Sequence, residues 1–254
     1  VDCNYSASWN GSWYTLGSGM NSGGLPYVYA LTVYDSNLIA GGPFTIAGGG
    51  AANRIASWNG SNWQVLGSGM SDWVRALTVY NGSLIAGGYF TTAGGVDCNY
   101  IARWNGIWHT LGSGIDDTVS AMTVYKGKLI AGGGFTKAGG VDANYITQWD
   151  GSNWQPLATG MNGIVSALTG YKGDLIAGGY FTTAGRVESN GWARWGVPQP
   201  IEGDLNHNCT VDELDLSLFV QQWLDKDCLY NGWCYEADLN YDTKINFQDF
   251  ALIA

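Results

Sequence analysis

A tryptophan-led segment recurs five times in this chain, and its spacing limits the fold more than any other feature. Trp9, Trp58, Trp104, Trp149 and Trp195 begin matching stretches 49, 46, 45 and 46 residues apart. A full unit reads Ile-Ala-x-Trp-Asn-Gly-x-x-Trp-x-x-Leu-Gly-Ser-Gly-Met, then Ala-Leu-Thr-Val-Tyr-x-Gly-x-Leu-Ile-Ala-Gly-Gly-x-Phe-Thr-x-Ala-Gly-Gly. A period in the mid-forties holds four short strands, the content of one propeller blade.

Turn chemistry marks where those strands reverse. Asn10-Gly11, Asn59-Gly60, Asn105-Gly106 and Asp150-Gly151 form one set, and Asn81-Gly82, Lys126-Gly127 and Lys172-Gly173 a second, with Asp35-Ser36 in the first unit. Asn-Gly and Asp-Gly accept positive φ at both central residues of a tight hairpin, so two hairpins per unit give four strands. Runs such as Ala76-Leu77-Thr78-Val79-Tyr80 suit strands covered on both faces, as in sheets stacked around an axis. The glycine doublets Gly41-Gly42, Gly87-Gly88, Gly132-Gly133 and Gly178-Gly179 are expected where backbones approach closely. Four such units leave Trp192-Ala193-Arg194-Trp195 as a seventeenth strand. A closed ring latched by that strand is the favoured arrangement; the alternative is an open array whose edge pairs with another copy.

The Leu-Ile-Ala-Gly-Gly-x-Phe and Ile-Ala-x-Trp-Asn-Gly elements resemble kelch-like propeller repeats, in particular those of the cortical cell-polarity marker family. The resemblance covers residues 6–196 and implies an all-β propeller-type repeat domain of about four four-stranded blades. It implies little about activity, because propellers host enzymes, lectins and scaffolds alike.

Charge divides the chain. Residues 1–200 hold 10 acidic and 9 basic side chains, whereas residues 201–254 hold 11 acidic and 2 basic. Glycine falls at the same border, with only Gly203 and Gly232 beyond it. The expected organisation is a repeat domain over 1–196, a linker over 197–202 containing Val197-Pro198-Gln199-Pro200, and a small domain over 203–254. So acidic a chain is unsuited to nucleic acid, and no apolar run is long enough to span a membrane. Val1 opens no charged-then-apolar leader, so any signal peptide is expected to be already removed or not included.

The acidic segment carries one pattern twice, from Asp204 and from Asp238. Asp204, Asn206, Asn208, Asp212 and Asp215 place oxygen-bearing side chains at loop positions 1, 3, 5, 9 and 12, and Thr210 at position 7 lends a backbone carbonyl. Asp238, Asn240, Asp242, Asn246 and Asp249, with Lys244 at position 7, repeat the spacing. Calcium takes six to eight oxygens, which explains the pattern chemically. Each loop precedes an apolar run, Leu216 to Leu224 and Phe250 to Ala254. In the first run Leu216, Phe219, Val220, Trp223 and Leu224 are expected to form a packing face.

These paired loop–helix units resemble the type I dockerin family, over residues 203–254. The resemblance implies a small α-helical domain that binds Ca2+ through those positions and docks onto a cohesin-like partner. Cys209 and Thr243 stand where the family has glycine, and Asn208 where it has aspartate, which predicts a weaker first site.

Five cysteines beside calcium loops suit an oxidising, extracellular or cell-surface location. Cys209, Cys228 and Cys234 are disulfide candidates, with no pairing selected. Cys3 and Cys98 occupy equivalent positions two units apart, too distant in a closed ring to bridge. The chain has two histidines, His109 in a variable strand position and His207 in a calcium loop, and Asp116-Asp117 reads as a solvated turn. No nucleophile elbow or phosphate loop occurs. The expected function is therefore non-enzymatic and structural, with a protein partner or further copies of the chain joined through the tail or by strand exchange. The alternative is a carbohydrate-binding module of a polysaccharide-degrading assembly, although nine of thirteen tryptophans lie in two repeat positions that suit core packing.

Overall fold

The computed structural model describes residues 4–22, 26–196, 205 and 213–224. The chain divides into two compact units, Val1–Trp195 and Gly196–Ala254.

The first unit is all β, built from small antiparallel sheets. An N-terminal hairpin pairs Ala7–Trp9 with Trp13–Thr15. The first sheet orders Ala30–Tyr34, Asn37–Gly41, Ile55–Trp58 and Trp63–Val65. The second orders Val74–Tyr80, Ser83–Gly88, Ile101–Trp104 and Trp108–Thr110, and the third Val119–Tyr125, Lys128–Gly133, Ile146–Trp149 and Trp154–Pro156. The fourth has three strands, Ile164–Tyr171, Asp174–Tyr180 and Trp192–Trp195. The expected seventeen strands thus fall into groups of two, four, four, four and three.

The two turn sets differ in kind. Asn81 and Gly82 have φ of 46° and 71°, and Lys126 and Gly127 have 47° and 73°, as a two-residue hairpin turn demands. In the outer hairpins only the glycine is positive, for example Gly60 at 95°. These loops are longer. Asn59 Oδ1 accepts the amide N–H of Ser61 (3.0 Å) and Asn62 (2.9 Å), and Asp150 Oδ1 accepts those of Ser152 and Asn153, both at 2.8 Å. The side chain, rather than a second positive φ, reverses the chain there.

The Phe-Thr-x-Ala-Gly-Gly segments add small hairpins that the repeat pattern did not reveal. Thr92–Ala93 pairs with Val96–Asp97, Lys137–Ala138 with Val141–Asp142, and Thr183–Ala184 with Val187–Glu188. The corresponding Ile46–Ala47 pairs with both Gly50–Ala51 and Met20–Asn21. Under them Phe44, Phe90 and Phe135 are fully buried.

Consecutive sheets pack face to face, first on second, second on third, third on fourth. The glycine doublets explain how they fit. A Cβ at Gly87 would lie 2.6 Å from Val119 Cγ1 of the next sheet, and one at Gly132 would lie 2.5 Å from Val165 Cγ1. The second glycine serves its own sheet: a Cβ at Gly88 would be driven into the carbonyl oxygen of Trp73, beside the bulge between Val74 and Ala76. Close approach is thus the reason for both, by a side chain at one and a main chain at the other.

The outermost faces are uncovered. Leu31 and Val33 of the first sheet are 58% and 65% exposed, and Ala167 and Thr169 of the fourth are exposed, whereas Ala76 and Ala121 at the position of Ala167 are buried. A Cβ at Gly178 would meet only Ala167 Cβ and Gly191 O, both at 3.9 Å. The described strands form an open stack rather than a closed ring.

In the second unit, Glu213–Leu224 is helical, and Leu205 is buried. Leu216 and Val220 are exposed rather than packed, while the side chains of Phe219, Trp223 and Leu224 lie outside the described residues. Among the described residues no helix is long and apolar enough to cross a membrane.

Candidate functional site: an aromatic ridge and a buried aspartate

The two repeated tryptophan positions face each other across every outer hairpin. Trp58 and Trp63 have ring centroids 5.5 Å apart, Trp104 and Trp108 5.1 Å, Trp149 and Trp154 5.1 Å, and Trp9 and Trp13 5.3 Å. Trp108, Trp149 and Trp154 are buried, as core packing requires. Trp9 and Trp13 depart from the set and are exposed.

A different group of rings gathers outside the repeat positions. Tyr5 meets Tyr27 edge-on at 6.5 Å, Tyr27 stacks on Tyr29 at 6.0 Å, Tyr29 meets Trp73 at 6.1 Å, and Trp73 meets Tyr89 at 5.7 Å. All five are substantially exposed, and the Arg75 guanidinium lies 4.7 Å above the Tyr29 ring. They stand where the chain enters the inner strands of the first and second sheets, just before Ala30 and Val74, and where it leaves Gly88. At the position of Trp73 the third and fourth units carry Thr118 and Ile164, so the ridge is not a product of repeat packing. Trp73 is one of the four tryptophans that fall outside the two repeat positions. The tyrosines carried no signal, because only the fold brings positions 5, 27, 29 and 89 together.

Asp116-Asp117 lies in an exposed bend, as expected, and Asp116 also joins two segments. Asp116 Oδ1 accepts the amide N–H groups of Thr136 and Lys137, both at 2.9 Å, and Oδ2 accepts the Thr136 hydroxyl at 2.9 Å. Partial burial pulls this carboxyl upward, but the Lys137 and Thr136 donors outweigh it and hold its pKa below the ordinary aspartate value. Ser71 and Asn162 perform the same clamp in neighbouring units, on Thr91–Thr92 and Thr182–Thr183. Asp117 Oδ1 accepts from the Thr118 amide and hydroxyl. His109 Nε2 lies 3.0 Å from Asn105 Oδ1 on the surface.

Of the twelve residues expected around calcium, Asp215 alone is described. It sits in the first turn of the helix, fully buried. Asp204, Asn206, Asn208, Thr210, Asp212, Asp238, Asn240, Asp242, Lys244, Asn246 and Asp249 lie outside the described residues, as do Cys209, Cys228 and Cys234. Cys98 is a free, buried thiol that donates to the Val96 carbonyl at 2.9 Å. Burial, opposed by a hydrogen bond from the main chain of Ala93 and reinforced by Asp97, pushes its pKa up to about 11.

No family model matches the chain, and no curated protein matches it. Among solved structures it is similar to the computationally designed Ika4 protein, at 17% identity over 69% of this chain and 94% of that one, with a TM-score of 0.40. It is similar also to the designed Ika8 protein, at 15% identity over 73% of this chain and 62% of that one, with a TM-score of 0.40. A third is the extracellular domain of the hybrid two component system BT4673 from B. thetaiotaomicron, at 11% identity over 66% of this chain and 21% of that one, with a TM-score of 0.41.

Proposed function

We propose that this chain is a non-enzymatic extracellular interaction protein: a kelch-like propeller-type scaffold assembled into a larger structure through a calcium-binding, dockerin-like tail or through exchange of strands. The observation that carries the reading is the pair of uncovered ends of the sheet stack. Leu31 at one end, and Ala167 and Trp192 at the other, present apolar surface, whereas Met122, Ala76, Ala121 and Ile101 at the matching positions of the internal sheets are buried. In the tail, the burial of Asp215 supports a calcium loop, and the exposure of Leu216 and Val220 one turn apart on the helix supports a docking face.

Light scattering of the whole chain, with calcium and with a chelator, tests this function. Particles larger than one chain that shrink on chelation are expected if the tail is the joint. Large particles indifferent to chelation place the joint in the sheets, and a monomer in both conditions refutes assembly.

A second reading, a carbohydrate-binding module, is favoured by the ridge of Tyr5, Tyr27, Tyr29, Trp73 and Tyr89. Exposed aromatic rings stack on the apolar faces of sugars, and Arg75 beside them supplies hydrogen-bond donors. Retardation of the protein in gels containing soluble polysaccharide, lost in Trp73→Ala, is the expected result; unchanged mobility across neutral and acidic polysaccharides removes the reading.

A further inference from the structure

In each four-stranded sheet, the tryptophan of the fourth strand reaches back over the segment through which the chain entered that sheet. Trp63 donates its indole N–H to Leu16 O (2.8 Å), Trp108 to Leu66 O (3.0 Å), and Trp154 to Leu111 O (2.9 Å). The ring lies on two glycines, Gly17 and Gly48 under Trp63, Gly67 and Gly94 under Trp108, Gly112 and Gly139 under Trp154, and a Cβ on the second of each pair would crowd it. One seat, built from a leucine carbonyl, a residue with positive φ after it and a glycine of the small hairpin, thus occurs three times with the same occupant.

A fourth seat is present, and among the described residues no ring occupies it. Leu157 supplies the carbonyl, Ala158 follows at φ 50°, and Gly185 holds φ 63° with nothing within 4 Å of where its Cβ would be. Around them is an apolar groove of about 440 Å³ lined by Leu157, Ala177, Ala193 and Trp195. The fourth sheet ends at Trp192–Trp195, so both the seat and one strand edge await a partner.

The matching part stands at the opposite end of the stack. Trp13–Thr15 is a fourth-strand sequence, equivalent to Trp63–Val65 and Trp108–Thr110, and its hairpin belongs to no larger sheet. Trp13 is 60% exposed. Among the described residues its indole has no hydrogen-bond acceptor, whereas Trp63, Trp108 and Trp154 each have theirs. The sheets pack in chain order and Trp13 lies beside Leu31 and Leu38 of the first sheet, so this hairpin and the fourth seat lie at opposite ends of the described stack.

We infer that Trp13–Thr15 of a second copy of this chain exchanges its own partner, Ala7–Trp9, for the free edge of Trp192–Trp195, with its Trp13 ring in the seat formed by Leu157, Ala158 and Gly185. The inference rests on the assembly reading above and names its joint. The internal register, Trp104 opposite Trp108 and Ala102 opposite Thr110, sets Trp195 opposite the incoming Trp13 and Ala193 opposite Thr15. Ala158 differs from the glycine of the other seats, but its Cβ leaves room for the ring, since a Cβ at the equivalent Gly112 would be 3.5 Å from Trp154, an ordinary contact.

Disulfide trapping between two whole-chain variants tests this. Thr15→Cys and Ala193→Cys are prepared separately, mixed and oxidised, then run on a non-reducing gel. The expected result is a covalent dimer in the mixture, with each variant alone at the level of the unaltered chain. Introducing Trp13→Ala into the Thr15→Cys partner lowers the yield roughly tenfold or more, as removal of a seated tryptophan does at other interfaces. No dimer in the mixture overturns the inference, and so does a Thr15→Cys/Ala193→Cys double variant that closes only within one chain. Trapping that is indifferent to Trp13→Ala overturns the role of the seat. Light scattering with chelator separates this from the wider reading: in the absence of trapping, particles that shrink on chelation keep assembly and move its joint to the tail.

Discussion

The indole of Trp154 and the main-chain carbonyl of Leu111 meet at 2.9 Å across 43 residues of sequence, tying the outer edge of the third sheet to the segment that leads into it. Trp154 is buried, so its removal costs a cavity as well as a hydrogen bond. Trp154→Ala is expected to lower unfolding free energy by about 3–5 kcal/mol, measured by denaturant titration. Trp13→Ala, at the equivalent but exposed position, should change the monomer by no more than about 0.5 kcal/mol.

The glycine doublets make a sharper comparison. Gly132→Ala forces a methyl group against Val165 and should cost about 1–3 kcal/mol. Gly178→Ala occupies the same repeat position with nothing nearer than 3.9 Å and should be tolerated. Equal thermal shifts for the two would contradict the packing order of the sheets.

Much of this was legible in the sequence and some was not. The period, the inner hairpin turns at Asn81-Gly82 and Lys126-Gly127, and the tryptophan pairs follow from local chemistry that repeats. The small hairpins escaped notice because two-residue strands such as Thr92–Ala93 are too short to show alternation. The clamp at Asp116 was hidden because its partners are 20 and 21 residues away. Whether the ends of the array meet was undetermined for a different reason: every unit carries the same complementary faces, so a ring and an open stack read identically. The ridge combines five aromatics that share no motif. Of the two loops expected to bind calcium, only Leu205 and residues 213–215 fall among the described residues.

Acid should weaken the Asp116 clamp. Its folded pKa lies below the unfolded value, so its contribution is complete above the unfolded pKa of about 3.9 and is lost as pH falls through the lower, folded one. Asn162 accepts the same two amide bonds without titrating, and its own amide nitrogen donates to the Thr182 hydroxyl. Asp116→Asn should therefore leave melting at pH 7 nearly unchanged and make the acid-side decline shallower. A steeper decline in that variant would refute the assignment.

The Cys98 thiol should resist alkylation. With its pKa pushed up to about 11, against 9.0 for an ordinary thiol, little thiolate exists at pH 8. Iodoacetamide labelling, resolved by peptide mass, should be slower at Cys98 in native protein than in denatured protein by on the order of a hundredfold. The raised pKa also stabilises the fold fully below the unfolded value near 9, and this is lost as pH climbs through the folded one. Rapid native labelling would show that the thiol is not enclosed.

The tryptophan hook has a direction: the ring always belongs to the later segment and the carbonyl to the earlier one. A contact between copies built on it joins unlike surfaces, and a single such contact has no twofold axis. Each added copy leaves one hairpin and one seat unsatisfied at its far ends. Growth therefore stops only when a cycle shuts on itself, and otherwise continues as a fibre.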